Sequence, residues 1–331
     1  MLDRNAALAI PDESYFVPQL ATRHRGTVDV DEFLDDLRRL PTLAEWGLAA
    51  DAVGARLRPG MTTGEAIAAV FEAYAAEHGK PRWGDKTPLY MQHLRLLERL
   101  FPTARYVQLI RDGRDAALSF LSVPPGIMTE GWGHPRDAAG FACQWATEVR
   151  EARALGARVG PGRYLEVRYE ALVAGPEAEL RRVCELAGLD YEETMLGYVG
   201  HTESARKDHQ QRLNEPPRVG VRDWRTEMAP TDVAAFEHVA GDLLDDLGYD
   251  VTTRGHDARR LAAYRAKTWA WRSVGTLTQR SPLWHRAGAP SPCCTAGSRP
   301  TSNAPCRATT TSASANTPCS TSSAASTTSR S

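Results

Sequence analysis

A short apolar run, Tyr106 to Ile110, is followed at once by Arg111-Asp112-Gly113 and then by a stretch of helix formers reaching about Ser122. A run of that length closed by turn residues reads as a buried strand. A strand feeding directly into a helix is the building unit of a parallel sheet covered by helices. Arg111 then stands at the carboxyl end of the strand, beside a helix N-terminus, where open parallel sheets bind ligands and free backbone N–H groups favour an anion. Its guanidinium is a fixed fork of donors suited to phosphate. Ser119 lies about two turns into the helix and can return a hydroxyl to the same place. A surface Arg–Asp network capping the helix fits the same residues, and this stretch alone leaves both readings open.

The rest of the chain repeats the strand–helix alternation. Asp31 to Leu40 and Thr42 to Leu57 read as amphipathic helices separated by Pro41. Thr62, with Glu65 three places on, is placed to form a capping box for a helix reaching about His78. An extended piece at Arg82-Trp83-Gly84 leads to Asp85-Lys86-Thr87-Pro88, and a helix from Leu89 to Leu100 stops at Phe101-Pro102. A turn-rich loop from Pro124 to Gly133 separates the Arg111 helix from a long one, Asp137 to Ala157. A second strand follows at Tyr164 to Val167, then helices at Pro176 to Leu186 and Thr231 to Leu247, the last ending in Gly248. Strands among many helices predict a parallel sheet wrapped by helices, an α/β class.

Composition narrows the function classes. The 40 basic and 41 acidic side chains leave a net charge of −1, so no basic face for nucleic acid is expected. No apolar run is long enough to span a membrane, and the first residues lack the pattern of a secretory leader, so a cytoplasmic protein is expected. Cys143 and Cys184 fall in helical patterns, as small core residues do. From Ala287 onward Ser, Thr, Ala, Pro and Cys dominate, and Leu, Ile, Val, Phe and acids are absent. Such a tail cannot bury enough apolar surface to offset its ordering entropy, so two regions are predicted: a globular domain over 1–286 and a disordered tail over 287–331. The cysteines of that tail fit no zinc spacing, and no metal site is expected.

Arg-Asp-Gly-Arg-Asp-x-x-x-Ser after an apolar strand resembles the 3′-phosphate-binding segment of sulfotransferases that use 3′-phosphoadenosine-5′-phosphosulfate (PAPS) as donor. Further segments resemble the family in the same order, particularly its bacterial and tyrosylprotein-sulfotransferase-like branch: Pro11-Asp-Glu-Ser14, Gly84-Asp-Lys-Thr-Pro88, Leu94 to Pro102, Val167-Arg-Tyr-Glu-Ala-Leu172 and Arg218 to Arg225. Together they cover residues 1 to about 250. The resemblance implies a three-layer P-loop-NTPase-like fold and transfer of a sulfuryl group from PAPS to a hydroxyl or amine, without metal.

Sulfuryl transfer needs an acceptor that loses a proton, an SO₃ group held in line, and stabilisation of the charge that develops on the donor's bridging oxygen. Glu13 aligns with the family's base, and a carboxylate in a cleft can have its pKa raised by desolvation. An N-cap or first-turn acid is the plainer role, and His134 and His93 are rival bases. Lys86 matches the family's catalytic lysine, whose ammonium neutralises the leaving oxygen; a surface pair with Asp85 is the plainer role, worth under about 1 kcal/mol. Tyr169 resembles the tyrosine that touches the donor nucleotide. Arg218 resembles the late basic loop over the 3′-phosphate, with Arg222 able to take the same part and Gly220 allowing close backbone approach. Trp145 and Trp224 match family tryptophans and read as packing.

The family's phosphosulfate-binding loop, a Pro-x-Ser-Gly-Thr-Thr type segment after the first strand, has no counterpart from Met1 onward, and no Walker pattern substitutes for it. The expectation is therefore a domain lacking that first strand and loop. Its alternative is a catalytically inactive nucleotide-binding protein on the same fold, or a gene remnant. A small-molecule kinase is disfavoured by the missing Walker lysine and magnesium-binding acids. The acceptor is expected to be a small molecule, carbohydrate or lipid, and the oligomeric state is not written in the sequence.

Overall fold

Four short strands form two parallel pairs in the computed structural model, which describes residues 1–123, 135–198 and 222–253 and the isolated positions 262 and 266. Strand β1 (Leu8–Ala9) pairs with β2 (Arg82–Trp83), Leu8 lying opposite Arg82. Strand β3 (Tyr106–Ile110) pairs with β4 (Tyr164–Arg168), Tyr106 opposite Tyr164 and Ile110 opposite Arg168. Parallel neighbours need long crossovers, and helices supply them. The helices α1 (Val17–Arg23), α2 (Val30–Arg38), α3 (Pro41–Glu45), α4 (Ala50–Gly54) and α5 (Thr63–Glu77) separate β1 from β2. Helix α6 (Leu94–Leu100) leads into β3, while α7 (Gly113–Leu121) and α8 (Ala138–Val159) carry the chain to β4. Then come α9 (Tyr169–Ala174), α10 (Pro176–Ala187), α11 (Trp224–Glu227) and α12 (Pro230–Asp246).

Each pair has its own core. Phe16, Phe33, Leu37, Ile67 and Phe71 are buried among α1 to α5, and Phe71 stacks on Trp83 of β2 with ring centroids 4.6 Å apart. Ile110 of β3, Ala117 of α7, Trp145 of α8 and Phe236 and Leu244 of α12 form the second core. A small third cluster, Leu180, Cys184 and Met195, takes Met1 and Leu2 against it. Cys143 and Cys184 are buried and form no disulfide, as their helical settings predict.

The two halves are tied at the entry ends of their strands. Helix α10 presents its last carbonyls to two arginines: Arg82, at the start of β2, donates to Ala187 O and Gly188 O at 2.7 Å, and Arg105, just before β3, donates to Ala187 O at 2.7 Å. Guanidinium groups at a helix C-terminus satisfy orphan carbonyls and complement the dipole. Both strands therefore begin at one anchor, and their carboxyl ends, which carry Lys86 and Arg111, lie away from it. Among the described residues β3 pairs only with β4, and Val107 and Leu109 on β3 are 41% and 53% exposed.

The local signals read from sequence recur with a few changes. Thr62 and Glu65 form the reciprocal capping box, with Thr62 N donating to Glu65 Oε2 at 2.7 Å. The helix expected over Thr42 to Leu57 is instead two short ones, because Gly47 at φ +67° turns the chain between them. The Leu89 to Leu100 helix begins as a 3₁₀ segment, Pro88–His93, before α6. Tyr169, which lies just past the expected strand Tyr164 to Val167, opens α9 directly after β4, which runs one residue further to Arg168. The loop from Pro124 to Gly133, Arg218 with Gly220, His134 and the 287–331 tail lie outside the described residues.

Candidate active site

Past the end of β1 the chain from Asp12 to Phe16 is pinned from several sides. Trp46 Nε1 donates to Asp12 O at 3.1 Å, and Thr42 Oγ1 to Ser14 O at 3.3 Å. Ser14 is fully buried; its N–H donates to Thr87 Oγ1 at 2.9 Å and its hydroxyl lies 2.8 Å from Tyr90 Oη. Thr87 donates in turn to Asp85 at 3.2 Å. This polar net joins the exit of β1 to the exit of β2, so Glu13 and Lys86 arrive side by side. Lys86 Nζ is 2.6 Å from Glu13 Oε1, the lysine side chain being 61% exposed and the glutamate 14%. Lys86 therefore pairs with Glu13 and not with its neighbour Asp85. Asp85 keeps an open side to solvent, yet desolvation by the protein around it pushes its carboxyl up to about 6, against the opposing hydrogen bonds from Ser14 and Thr87.

At the exits of β3 and β4 a cleft of about 380 Å³ is lined by Arg111, Asp115, Tyr169, Glu170, Arg222 and Trp224, among others. That volume lies within the range of small-molecule sites. The Arg111 guanidinium sits 4.9 Å from the Tyr169 ring centroid, and its Nη2 is 3.7 Å from Asp115 Oδ2. Burial pushes the Asp115 carboxyl above its ordinary range. Arg222 donates to Ser122 Oγ at 2.9 Å and to Glu227 at 2.8 Å.

The cleft holds more acids than arginines, but most of the acids are committed elsewhere. Asp112 caps α7 by accepting from Arg114 N at 2.9 Å. Asp223 caps α11, Glu170 accepts from Asp112 N and from the Tyr249 hydroxyl, and Asp250 pairs with Arg225. Among the cleft acids with a charged partner, Asp115 alone faces Arg111, at a distance longer than a hydrogen bond. Asp115 is itself held by the Trp224 N–H at 2.9 Å, and its contact with Arg111 stays long.

Behind the cleft lies an ion cluster that sequence reasoning did not find. The Arg114 side chain is completely buried; it donates to Asp112 at 2.8 and 3.1 Å and to Glu237 at 2.5 Å, and its guanidinium lies 3.6 Å from the Trp224 ring centroid. Glu237, on α12, also accepts from the backbone N–H of Thr252 at 3.0 Å and from that of Thr253. Backbone and arginine hydrogen bonds hold the Glu237 carboxyl below its ordinary range even though burial opposes them. Gly113 sits in the same knot: a Cβ there would come 2.5 Å from Phe236 and 2.7 Å from Trp145. The Asp112-Gly113 turn is therefore glycine by packing, and Trp145 and Trp224 are buried as expected of packing residues.

Of the residues singled out in the sequence, Glu13 and Lys86 come together, and Arg111, Tyr169 and Arg222 share the cleft. Ser119 is exposed on α7 and is not among the cleft residues; its carbonyl accepts from Ser122 Oγ at 2.8 Å. His93 ends the 3₁₀ segment half-buried, and desolvation lowers its pKa.

A family model described as "Sulfotransferase family" matches residues 1–193. Nodulation protein NoeE of Sinorhizobium fredii is 29% identical over 235 residues, which cover 62% of this chain and 54% of that protein. Protein-tyrosine sulfotransferase A of Caenorhabditis elegans is 28% identical over 209 residues, 59% of this chain and 53% of that protein. The chain thus spans about half the length of the curated relatives it matches. Two solved structures share the fold. The sulfotransferase domain from the Synechococcus PCC 7002 olefin synthase superposes with a TM-score of 0.52 at 22% identity, over 76% of this chain and 89% of that one. The sulfotransferase domain from the curacin biosynthetic pathway gives 0.51 at 17%, over 76% and 92%.

Proposed function

The chain belongs to the sulfotransferase family, and from that premise we propose that it transfers the sulfuryl group of PAPS to a hydroxyl or amine acceptor. The observation that carries the proposal is the pairing of two half-sites at strand exits: a glutamate–lysine pair past β1 and β2, and an arginine–tyrosine cleft past β3 and β4.

Each residue then has one task. Arg111, with Arg222 in the same cleft and Arg218 assigned the same task by the family resemblance, holds the 3′-phosphate, displacing the weak contact with Asp115. Tyr169, the first residue of α9, lends its ring to the nucleotide while its face steadies Arg111. Glu13 accepts the proton of the acceptor hydroxyl as the oxygen attacks sulfur. Lys86 neutralises the charge that develops on the bridging oxygen as the S–O bond to the 5′-phosphate breaks. To do so it must swing from Glu13 toward the donor, which its exposed side chain allows. The same movement frees the carboxylate to act as base. Ser119 would join the donor site only after a change of position on α7.

The relatives' names point to two acceptor classes, protein tyrosine for the worm protein and an unstated nodulation-related acceptor for NoeE. For this chain we assign a small-molecule, carbohydrate or lipid hydroxyl. Calorimetric titration of 3′-phosphoadenosine 5′-phosphate, the reaction's nucleotide product, tests the donor half. Micromolar binding by the wild-type chain that is lost in Arg111→Ala supports the reading, and no binding by the wild-type chain overturns it.

A further inference from the structure

Tyr15 is the one non-glycine with positive φ among the described residues, at +54°. The N–H of Phe16 donates to Ser14 O at 2.7 Å across it, an i to i+2 bond that marks the rare and strained γ-turn. Both neighbours are clamped: Ser14 by Thr87, Tyr90 and Thr42, and Phe16 in the core at 1% exposure. Tyr15 itself is 44% exposed, so core packing does not explain the strained conformation. The turn instead brings the ring back over the preceding acid, and the Tyr15 phenol donates its hydrogen bond to Glu13 Oε2. Lys86 occupies the other oxygen of the same carboxylate. A phenolic O–H pointing into a candidate general base has the relationship that an acceptor hydroxyl must have with that base.

We propose that Tyr15 is itself an acceptor, sulfated in cis by the site it lines. The inference rests on the donor reading above. In the step, the Tyr15 phenolic oxygen forms a bond to sulfur and its proton passes to Glu13. The S–O bond to the 5′-phosphate of PAPS breaks, and its electron pair leaves on 3′-phosphoadenosine 5′-phosphate. No oxidant or reductant is needed. The product is a sulfate ester carrying a negative charge within reach of Lys86, which then bars other acceptors from Glu13. Acceptors in solution must displace the phenol before they reach the base, so Tyr15 also filters what can be sulfated.

The full chain is incubated with PAPS alone, and intact mass and peptide mapping are followed over time at several protein concentrations. The expected result is one added sulfuryl group, on the peptide carrying Tyr15, at a rate independent of protein concentration. The addition disappears in Tyr15→Phe, which retains the ring and the affinity for 3′-phosphoadenosine 5′-phosphate, and it slows at least a hundredfold in Glu13→Gln. Nucleotide binding without modification overturns the proposal. So does modification that survives Tyr15→Phe, or a rate that rises with protein concentration. Absence of both binding and modification overturns the donor reading as well, so the two failures are distinguishable.

Discussion

Lys86 Nζ sits 2.6 Å from Glu13 Oε1, across an interval of 73 residues that contains five helices. In this arrangement the candidate base and the candidate electrophile neutralise each other, and the pair lies open to solvent on the lysine side. An exposed pair of this kind contributes little to folding, under about 1 kcal/mol. Glu13→Gln and Lys86→Met should therefore leave the thermal midpoint almost unchanged while each lowers turnover about 10²- to 10³-fold. Paired melting curves and single-turnover rates with PAPS check the separation. A large loss of stability in either variant would assign the pair a structural role.

Arg222 lines the cleft, and among the described residues its charged partner is Glu227. If Arg222 donates to the 3′-phosphate as proposed, replacement by alanine should weaken binding of 3′-phosphoadenosine 5′-phosphate roughly tenfold to a hundredfold. Arg225, which pairs with Asp250 at 2.6 Å, serves as comparison, and its alanine variant should weaken binding far less. Equal losses by titration calorimetry would argue for a general charge effect instead of a specific contact.

The buried Arg114–Glu237 pair predicts a loss larger than any surface change. Arg114→Met leaves Glu237 and Asp112 in a desolvated site with their charges uncompensated, at a cost of about 3–5 kcal/mol. Adding Glu237→Leu should recover part of that loss, because the second change removes the stranded charge. Denaturant midpoints for the two single variants and the double variant give the coupling directly.

Gly113→Ala places a methyl group against Phe236 and Trp145, both buried ring systems with little room to move. Overpacking of this kind costs about 1–3 kcal/mol. Because Gly113 lies two positions from Arg111, nucleotide affinity should fall along with stability, and urea unfolding and calorimetry on the same preparation test both.

Asp85 has a carboxyl pushed up from 3.8 to about 6, so the folded chain holds that proton more tightly than the unfolded chain does. The contribution to stability is fully present below about pH 4 and is lost as pH rises through about 6. Solvent on the open side of Asp85 makes the effect smaller than the full shift implies. Stability measured against pH in wild type and in Asp85→Asn should diverge over that window and run parallel above it. Parallel curves throughout would remove Asp85 as a titrating group.

What could be read before folding was local. The strand–turn–helix around Arg111 and the Thr62–Glu65 box follow from spacing and residue type, the packing of Trp145 follows from the family resemblance, and all three recur in the structure. What could not be read was non-local. Nothing near Arg114 in the sequence announces Glu237, and the partner of Lys86 looked like its neighbour Asp85 because sequence adjacency is the only proximity a chain displays. The helix at Tyr169 was hidden because a strand running straight into a helix leaves no turn residue between them. The strain at Tyr15 had no signal at all, since tyrosine is not a residue that marks positive φ.

Among the described residues β3 has one strand neighbour and an open flank. A strand that bonds one neighbour leaves a row of backbone donors and acceptors unanswered, and here Val107 and Leu109 stand exposed on the same strand. Natural proteins blunt such edges with charge, proline or a covering element, and Tyr106 to Ile110 holds neither a charge nor a proline. The edge is a template onto which another extended segment can add, its own copies included. Among the described residues this strand offers its backbone to an added segment, and a lysine in place of Leu109 would set a charge beside it.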